Sequence, residues 1–457
     1  MSANDSNWKF VSRSKKCSVR RRPLLCRMEL LLRWRVTAAS HNVTERPSGA
    51  PADTAEVLLA FGTSMLRAGN TASRTRKLMD ELACKMDYAV SMNLSLDSVT
   101  INLCRAGVST TAIREMPAPG VDISRIIALE KLARSALDGV TPDEIAATLR
   151  EIDTARPRYP RTLIVAAVAT ASASFAFLNG AVMPEMVTAA ISGGGGQALR
   201  SCLARRHFNQ YAIVALTAVT VSGIYVIVAT LAAHAGADFT NYPAGFINYP
   251  AGFIASVLFL VPGIPLIGGL FDLLHYQTLA AVSRLVYGAM ILLAVAFGLS
   301  IVVELRAIDL SQQPPLALDY PVTLLLRAIA SFLAAGSLAM LFNSPLRIAF
   351  ATGVVAVLAN DLRLLLIDFG ITLAAAAFIA ALAIGLMALL AEYRFKVPLL
   401  ATTAGATVIM VPGVYAFKMI MLFNRNEMLD GLQAAAVCGF VVGALAMGLA
   451  TARLFAR

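Results

Sequence analysis

The chain has 457 residues, of which 58% are hydrophobic and 15% charged, and its mean hydropathy is +0.69. These values exclude an ordinary soluble domain and describe a polytopic membrane protein. The formal net charge of +11 is concentrated at the start, where residues 1 to 46 hold eleven Lys or Arg against Asp5, Glu29 and Glu45. A basic tract without interleaved aromatics argues for a solvated, disordered tail near anionic lipid, and against a nucleic-acid partner.

The cysteines at 17, 26, 84, 104, 202 and 438 and the histidines at 41, 207, 234 and 275 show no metal-ligand or redox spacing. Neither a metal, a cofactor nor a structural disulfide is expected. Leu24 and Leu25 stand among arginines without a cleavable signal core, and Met28 is an alternative start of translation.

Residues 1–53 read as basic tail and linker, and residues 54–158 as a small cytoplasmic α+β domain. Helical periodicity over Thr54 to Met86 breaks at Gly69-Asn70. Alternation over Ala89 to Leu103 predicts two short strands, and a helix follows over Ile123 to Leu137. Thr141-Pro142-Asp143-Glu144 then supplies an N-cap, a first-turn proline and a capping glutamate for a helix up to Ile152. The run Gly69 to Arg74 reads as a capped helix start with a solvated basic face, and no catalytic constellation accompanies it.

From Arg161 onward about ten apolar segments can be marked against the roughly 20 residues needed to span a bilayer. They are 162–181, 182–199, 210–233, 251–271, 279–303, 321–342, 346–361, 364–391, 397–418 and 431–452, the second and seventh being short. Lys and Arg in the loops place both termini in the cytoplasm, with Lys418 and Arg425 counting against that orientation. The fold class is mainly α, a polytopic membrane protein with a small soluble α+β domain in front.

An internal repeat divides these segments. Tyr159-Pro160-Arg161-Thr162-Leu163 opens one set and Tyr320-Pro321-Val322-Thr323-Leu324 the other, 161 positions later, and Val-Pro-Gly recurs at 261–263 and 411–413. Five crossings per set, in residues 159–305 and 306–457, require the second set to be inverted relative to the first, an arrangement used by secondary transporters. A tandem heptad, 241–247 repeated at 248–254, reads as a tolerated duplication in an outer loop.

Ionisable groups and helix breakers within apolar segments are functional candidates. Pro262, Gly263 and Pro265 interrupt the fourth segment, so freed backbone groups there can meet a substrate, and Pro412 and Gly413 interrupt the ninth. Asp272 is a candidate proton-coupling carboxylate, or else an interfacial cap paired with Arg284. Arg284, Arg327 and Lys418 are candidates for a substrate carboxylate, although Arg327 and Lys418 can equally snorkel to the surface. Asp361 with Arg363 reads as a local pair at a short turn, and Asp368 as lying in the eighth segment. Gly193 to Gly196 permit close helix packing or line a path.

The run Leu66-Arg67-Ala68-Gly69-Asn70-Thr71-Ala72-Ser73-Arg74, the Tyr159-Pro160 pair, Val261 to Ile267 with Asp272-Leu273-Leu274 and Ser283-Arg284-Leu285, and Val411-Pro412-Gly413-Val414-Tyr415 together resemble the threonine/serine exporter family. The resemblance covers about residues 54 to 455. It implies a cytoplasmic amphipathic domain, ten membrane helices, and export of small amino acids by secondary transport, and the expectation here is an exporter of threonine or serine in the inner membrane driven by the proton motive force. Two-chain relatives of that family are linked to dicarboxylate export. The expected partners are therefore an amino acid or dicarboxylate, protons and lipid, with a homo-oligomer as one possible assembly. Tyr415 joins the site candidates on this ground. A membrane-anchored enzyme or sensor acting through residues 54–158 is the competing class.

Overall fold

The computed structural model describes residues 51–206, 208–234, 250–306, 319–395 and 399–456. The basic tail, Met28, the cysteines at 17 and 26, His41, His207, Lys396 and most of the tandem heptad lie outside the described residues.

The N-terminal domain begins with α1 (Pro51–Arg67), which starts inside the stretch expected as linker, and α2 (Ala72–Lys85). Between them Gly69 has φ +97°, a conformation that a glycine adopts without strain. An antiparallel sheet follows, β1 (Ala89–Leu94), β2 (Ser98–Arg105) and β3 (Val108–Glu115), in the order β1-β2-β3. The third strand was not expected. Its residues are exposed or half-buried throughout, so it lacks the clean apolar alternation by which a half-buried strand is recognised. Two helices complete the domain, α3 (Ile123–Ser135) and α4 (Pro142–Thr154), the latter with the expected capping box between Thr141 and Glu144. Leu58, Phe61 and Met65 pack with Leu78, Met79 and Leu82, with Val99, Ile101 and Leu103 of β2, and with Leu129 and Ile145.

The membrane region contains α5 (Arg161–Leu178), α6 (Met183–Leu203), α7 (Gln210–His234), α8 (Pro250–Val257), α9 (Gly263–Leu274) and α10 (Thr278–Arg306). It continues with α11 (Tyr320–Leu341), α12 (Leu346–Asp368), α13 (Leu373–Phe395), α14 (Leu399–Val408), α15 (Gly413–Asn424) and α16 (Met428–Ala452). Among the described residues seven helices are long and apolar enough to cross a membrane, or nine when the bent pairs α8/α9 and α14/α15 each count as one span. The remaining long helix is α6, 21 residues that include Glu185, Gln197, Arg200 and the four glycines. Its polar content explains why it falls short of the ten expected spans.

One boundary is corrected. The helix α12 runs unbroken for 23 residues, so Asp361 and Arg363 lie within it and Asp368 ends it, and neither this segment nor α6 is short. Both polar residues find partners inside the bundle, which removes the need for a turn: Ser331 donates to Asp361 at 3.2 Å and Arg363 donates to Asn360 at 3.1 Å.

The two bends are built alike. Pro262 (φ −80°, ψ 57°) and Pro412 (φ −77°, ψ 56°) each form the centre of an inverse γ-turn, in which the next glycine N–H donates to the carbonyl two residues back, at 2.8 Å for Gly263 and 2.7 Å for Gly413. The chain bends by 62° at the first and 46° at the second. The bends also touch each other. A Cβ on Gly263 would stand 2.9 Å from Val408, and one on Gly413 would stand 2.8 Å from Leu258 and 3.1 Å from Val261.

The N-terminal domain sits on one end of the bundle, here called the docked end. There Ser124 donates to the Asn343 carbonyl at 2.5 Å and Ile123 N–H to the Phe342 carbonyl at 2.9 Å. The start of α5 lies at this end beside the finish of α11: Arg158 N–H donates to Asn343 Oδ1 at 2.9 Å and the Tyr159 hydroxyl to the Ser344 carbonyl at 2.6 Å.

Candidate functional site

The site begins at the first turn of α2. Thr71 is its N-cap and accepts the N–H of Arg74 at 3.3 Å, which leaves the amides of Ala72 and Ser73 without intrahelical partners. Both donate to Asp272 on α9, Ala72 to Oδ2 at 3.0 Å and Ser73 to Oδ1 at 3.1 Å. The carboxylate therefore meets the positive end of the α2 dipole. On α10, Arg284 Nε stands 3.2 Å from the same carboxylate, and the other end of its guanidinium donates to the Asn70 carbonyl. Asp272 is fully buried and Arg284 nearly so. The pairing of Asp272 with Arg284 is thus present, and the N-terminal domain supplies the rest of its coordination.

Cavities flank this clamp on both sides. The larger, of about 900 Å³, is walled by Ile264, Gly268 and Phe271 of α9, by Thr403 and Thr407 of α14, and by charged groups of both signs. Arg74 grips Glu130 with two bonds, of 2.6 and 3.0 Å, and Arg134 joins Glu130 at 3.0 Å to Glu392 of α13 at 3.1 Å. Burial works against the Arg74 charge, but the hydrogen bond and charge of Glu130 outweigh it and raise its pKa. The Arg453 guanidinium lies 4.0 Å from the centre of the Phe271 ring, a cation–π distance.

The smaller cavity, of about 360 Å³, is lined by Pro262, Gly263 and Pro265 together with Gln197, Arg200, Arg284 and Tyr287. Four of the expected site residues, Pro262, Gly263, Pro265 and Arg284, therefore meet in one place.

The others are elsewhere. Pro412 and Gly413 form the second bend and pack on the first. Tyr415 is exposed and Lys418 half-buried on α15. Arg327 is bound to Asp368 at 2.5 Å. A separate polar network joins Asn360 to Ser331 at 2.9 Å and Arg363 to Asn360, between α11 and α12.

Sequence reasoning missed Gln197, Arg200, Glu130, Glu392, Arg453 and the threonines of α14. Of these, only the polar interruptions of α6 carried a local signal. It also misread the basic face at the start of α2 as solvated: Arg74 is bound to Glu130, and Arg76 donates to the Met92 carbonyl at 2.7 Å and to Gln277, next to α10, at 3.2 Å.

No group of His, Cys, Asp or Glu among the described residues is arranged to hold a metal. A helical bundle with two abutting bent spans and polar cavities beside them is the architecture of a membrane transporter. The chain belongs to the threonine/serine exporter family: one family model of that description matches residues 56–306 and a second, threonine/serine exporter ThrE, matches residues 327–455. It is 26% identical over 412 residues to a Mycobacterium tuberculosis protein named "Probable threonine/serine exporter", covering 86% of this chain and 73% of that one. It is also 24% identical over 233 residues to the Escherichia coli "Probable succinate transporter subunit YjjP", covering 48% of this chain and 84% of that one. No solved structure matches the chain. The protein is a multi-pass transporter of a small polar solute.

Proposed function

We propose that the protein exports threonine, serine or similar small amino acids through an inverted pair of five-helix repeats, driven by the proton motive force, with both termini in the cytoplasm of an inner-membrane protein. The observation that carries this reading is the back-to-back contact of the two proline bends, Gly263 on Val408 and Gly413 on Val261. Bent spans that abut inside a bundle give a substrate freed backbone groups near mid-depth, as in transporters built from inverted repeats. The meeting of the start of α5 with the end of α11 supports opposite directions for the repeats. So does a mirrored pair of side chains: Gln197 and Arg200 near the first bend, and Asn360 and Arg363, spaced alike, on the corresponding helix of the second set.

The large cavity supports a zwitterionic substrate, since Arg453 and Arg74 offer cations and Glu130 and Glu392 carboxylates around the Thr403 and Thr407 positions. In this reading Asp272, which ties the first turn of α2 to α9 beside that cavity, is the candidate for the coupling proton. A dicarboxylate is the second reading, favoured by the two guanidiniums, Arg200 and Arg284, that line the smaller cavity. Counterflow of labelled threonine, serine and succinate in proteoliposomes separates the two. Threonine or serine exchange without succinate exchange is expected, and succinate exchange alone refutes the amino-acid reading.

A further inference from the structure

The helix α6 carries a carboxylate that neither cavity uses. Glu185 is 2% exposed; its Oε2 accepts the Val182 N–H at 3.1 Å, and its Oε1 has no partner. Facing it from α7 is Tyr225, 1% exposed, whose hydroxyl is likewise unpartnered. The two share one small volume. A Cβ on Gly252 of α8 would stand 2.5 Å from the Tyr225 hydroxyl oxygen and 2.9 Å from Glu185 Cβ. Ser222, one turn before Tyr225 on α7, is also buried with a free hydroxyl. An orphaned carboxylate oxygen and two orphaned hydroxyls in an apolar bundle represent a desolvation cost of about 1–3 kcal/mol each. Capping Val182 needs only one carboxylate oxygen, so helix capping accounts for half of the group.

Its position adds a second argument. The helix α5 starts at the docked end and its 18 residues rise about 27 Å, so Glu185, just past the turn, lies at the far end. From there α6 presents Thr188, Ser192 and Gln197, all buried, on the way to Arg200. Gln197 and Arg200 line the smaller cavity, whose walls run from Gly69 and Pro119 of the docked domain to Pro262 at the first bend, and Gln197 Oε1 again has no partner. Buried polar side chains thus recur along α6 from the far end of the bundle toward the first bend, the Thr188 and Ser192 hydroxyls bonding back to carbonyls of their own helix. Among the described residues, Tyr225 is the titratable group that faces Glu185 from the packed elements. The helices α5 and α8 bring none to that end, and His234, farther along α7, is exposed and bound to the Thr230 carbonyl.

We propose that Glu185 is the proton-binding carboxylate that couples transport, with Tyr225 as its hydrogen-bonding partner. This rests on the proton-driven reading above but moves the proton from the clamped Asp272 to an unclamped group. A proton from the aqueous phase at the far end forms an O–H bond at Glu185 Oε1 and neutralises the carboxylate. That bond breaks when the proton passes to water at the docked end. One proton enters for each zwitterion that leaves, so each cycle carries one positive charge inward.

The test uses the full chain in proteoliposomes, with labelled threonine inside and the outer pH varied. In the wild type an inward proton gradient accelerates efflux. In Glu185→Gln the acceleration and the dependence of counterflow on outer pH are both lost, and Tyr225→Phe shifts that dependence. Equal acceleration in the wild type and Glu185→Gln overturns the assignment and leaves the proton-driven reading standing. Active counterflow in the wild type without any acceleration overturns both. Should Glu185→Gln fail to fold, infrared difference spectra of the wild type on acidification are compared with those of Tyr225→Phe. A protonated-carboxyl band displaced in the variant supports the assignment, and an identical band overturns it.

Discussion

Ala72 and Asp272, two hundred positions apart, are joined by a 3.0 Å hydrogen bond from the backbone of one to the carboxylate of the other. With the Ser73 amide and Arg284, this bond makes a buried charge of the membrane region depend on the fold of the N-terminal domain. Removing one member of a buried pair costs about 3–5 kcal/mol, because the other is left uncompensated. Asp272→Asn is therefore expected to loosen docking, with the Ala72 and Ser73 amides exchanging hydrogen at least tenfold faster. The double variant Asp272→Asn/Arg284→Gln should be less impaired than Asp272→Asn alone. Unchanged exchange at both amides would show that the clamp does not hold the domain.

The contact between the bends makes a second prediction. Val408 is β-branched and stiff, so the methyl group of Gly263→Ala cannot displace it cheaply. Overpacking of this kind costs about 1–3 kcal/mol. Thermal unfolding in detergent should show the loss, and Gly263→Ala/Val408→Ala should recover most of it. The reciprocal change Gly413→Ala meets the flexible end of Leu258 first and should cost less.

The charge network around Glu130 is expected to be unequal. Arg74 binds Glu130 with two bonds and is 22% exposed, whereas Arg134 makes single bonds and is 38% exposed. Arg74→Ala should weaken docking and export severalfold, because it strips a nearly buried carboxylate of its bidentate partner. Arg134→Ala should have an effect of about 1 kcal/mol or less. Measured export rates and limited proteolysis of the N-terminal domain check the ranking.

Sidedness can be measured directly. Single cysteines at Arg161 and at Tyr320, the first residues of α5 and α11, in a background lacking the native cysteines, should react with an impermeant maleimide from opposite faces of the membrane. Labelling from the same face would contradict opposite directions for α5 and α11.

Helix breakers made the two bends legible in the sequence, since a proline after an apolar run leaves a local trace whatever surrounds it. The capping box at Thr141 was legible for the same reason. Asp272 stood out as a carboxylate among apolar residues, but its partners are backbone amides two hundred positions away, and no side-chain pattern announces them. Asp361 and Arg363 suggested a turn because charges are costly in a spanning helix, and only the fold reveals that Ser331 and Asn360 satisfy them there. Glu185 was hidden by its place near a helix start, where a glutamate is ordinary.

The mutual contact of the bends also sets an order of assembly. Val408 leaves the ribosome only after most of the second set has been made, so the turn at Pro262–Gly263 enters the bilayer before the surface that will cover it exists. The first half must therefore wait in the membrane with an uncovered kink, and the bundle matures through a late docking of its two halves after synthesis has nearly ended.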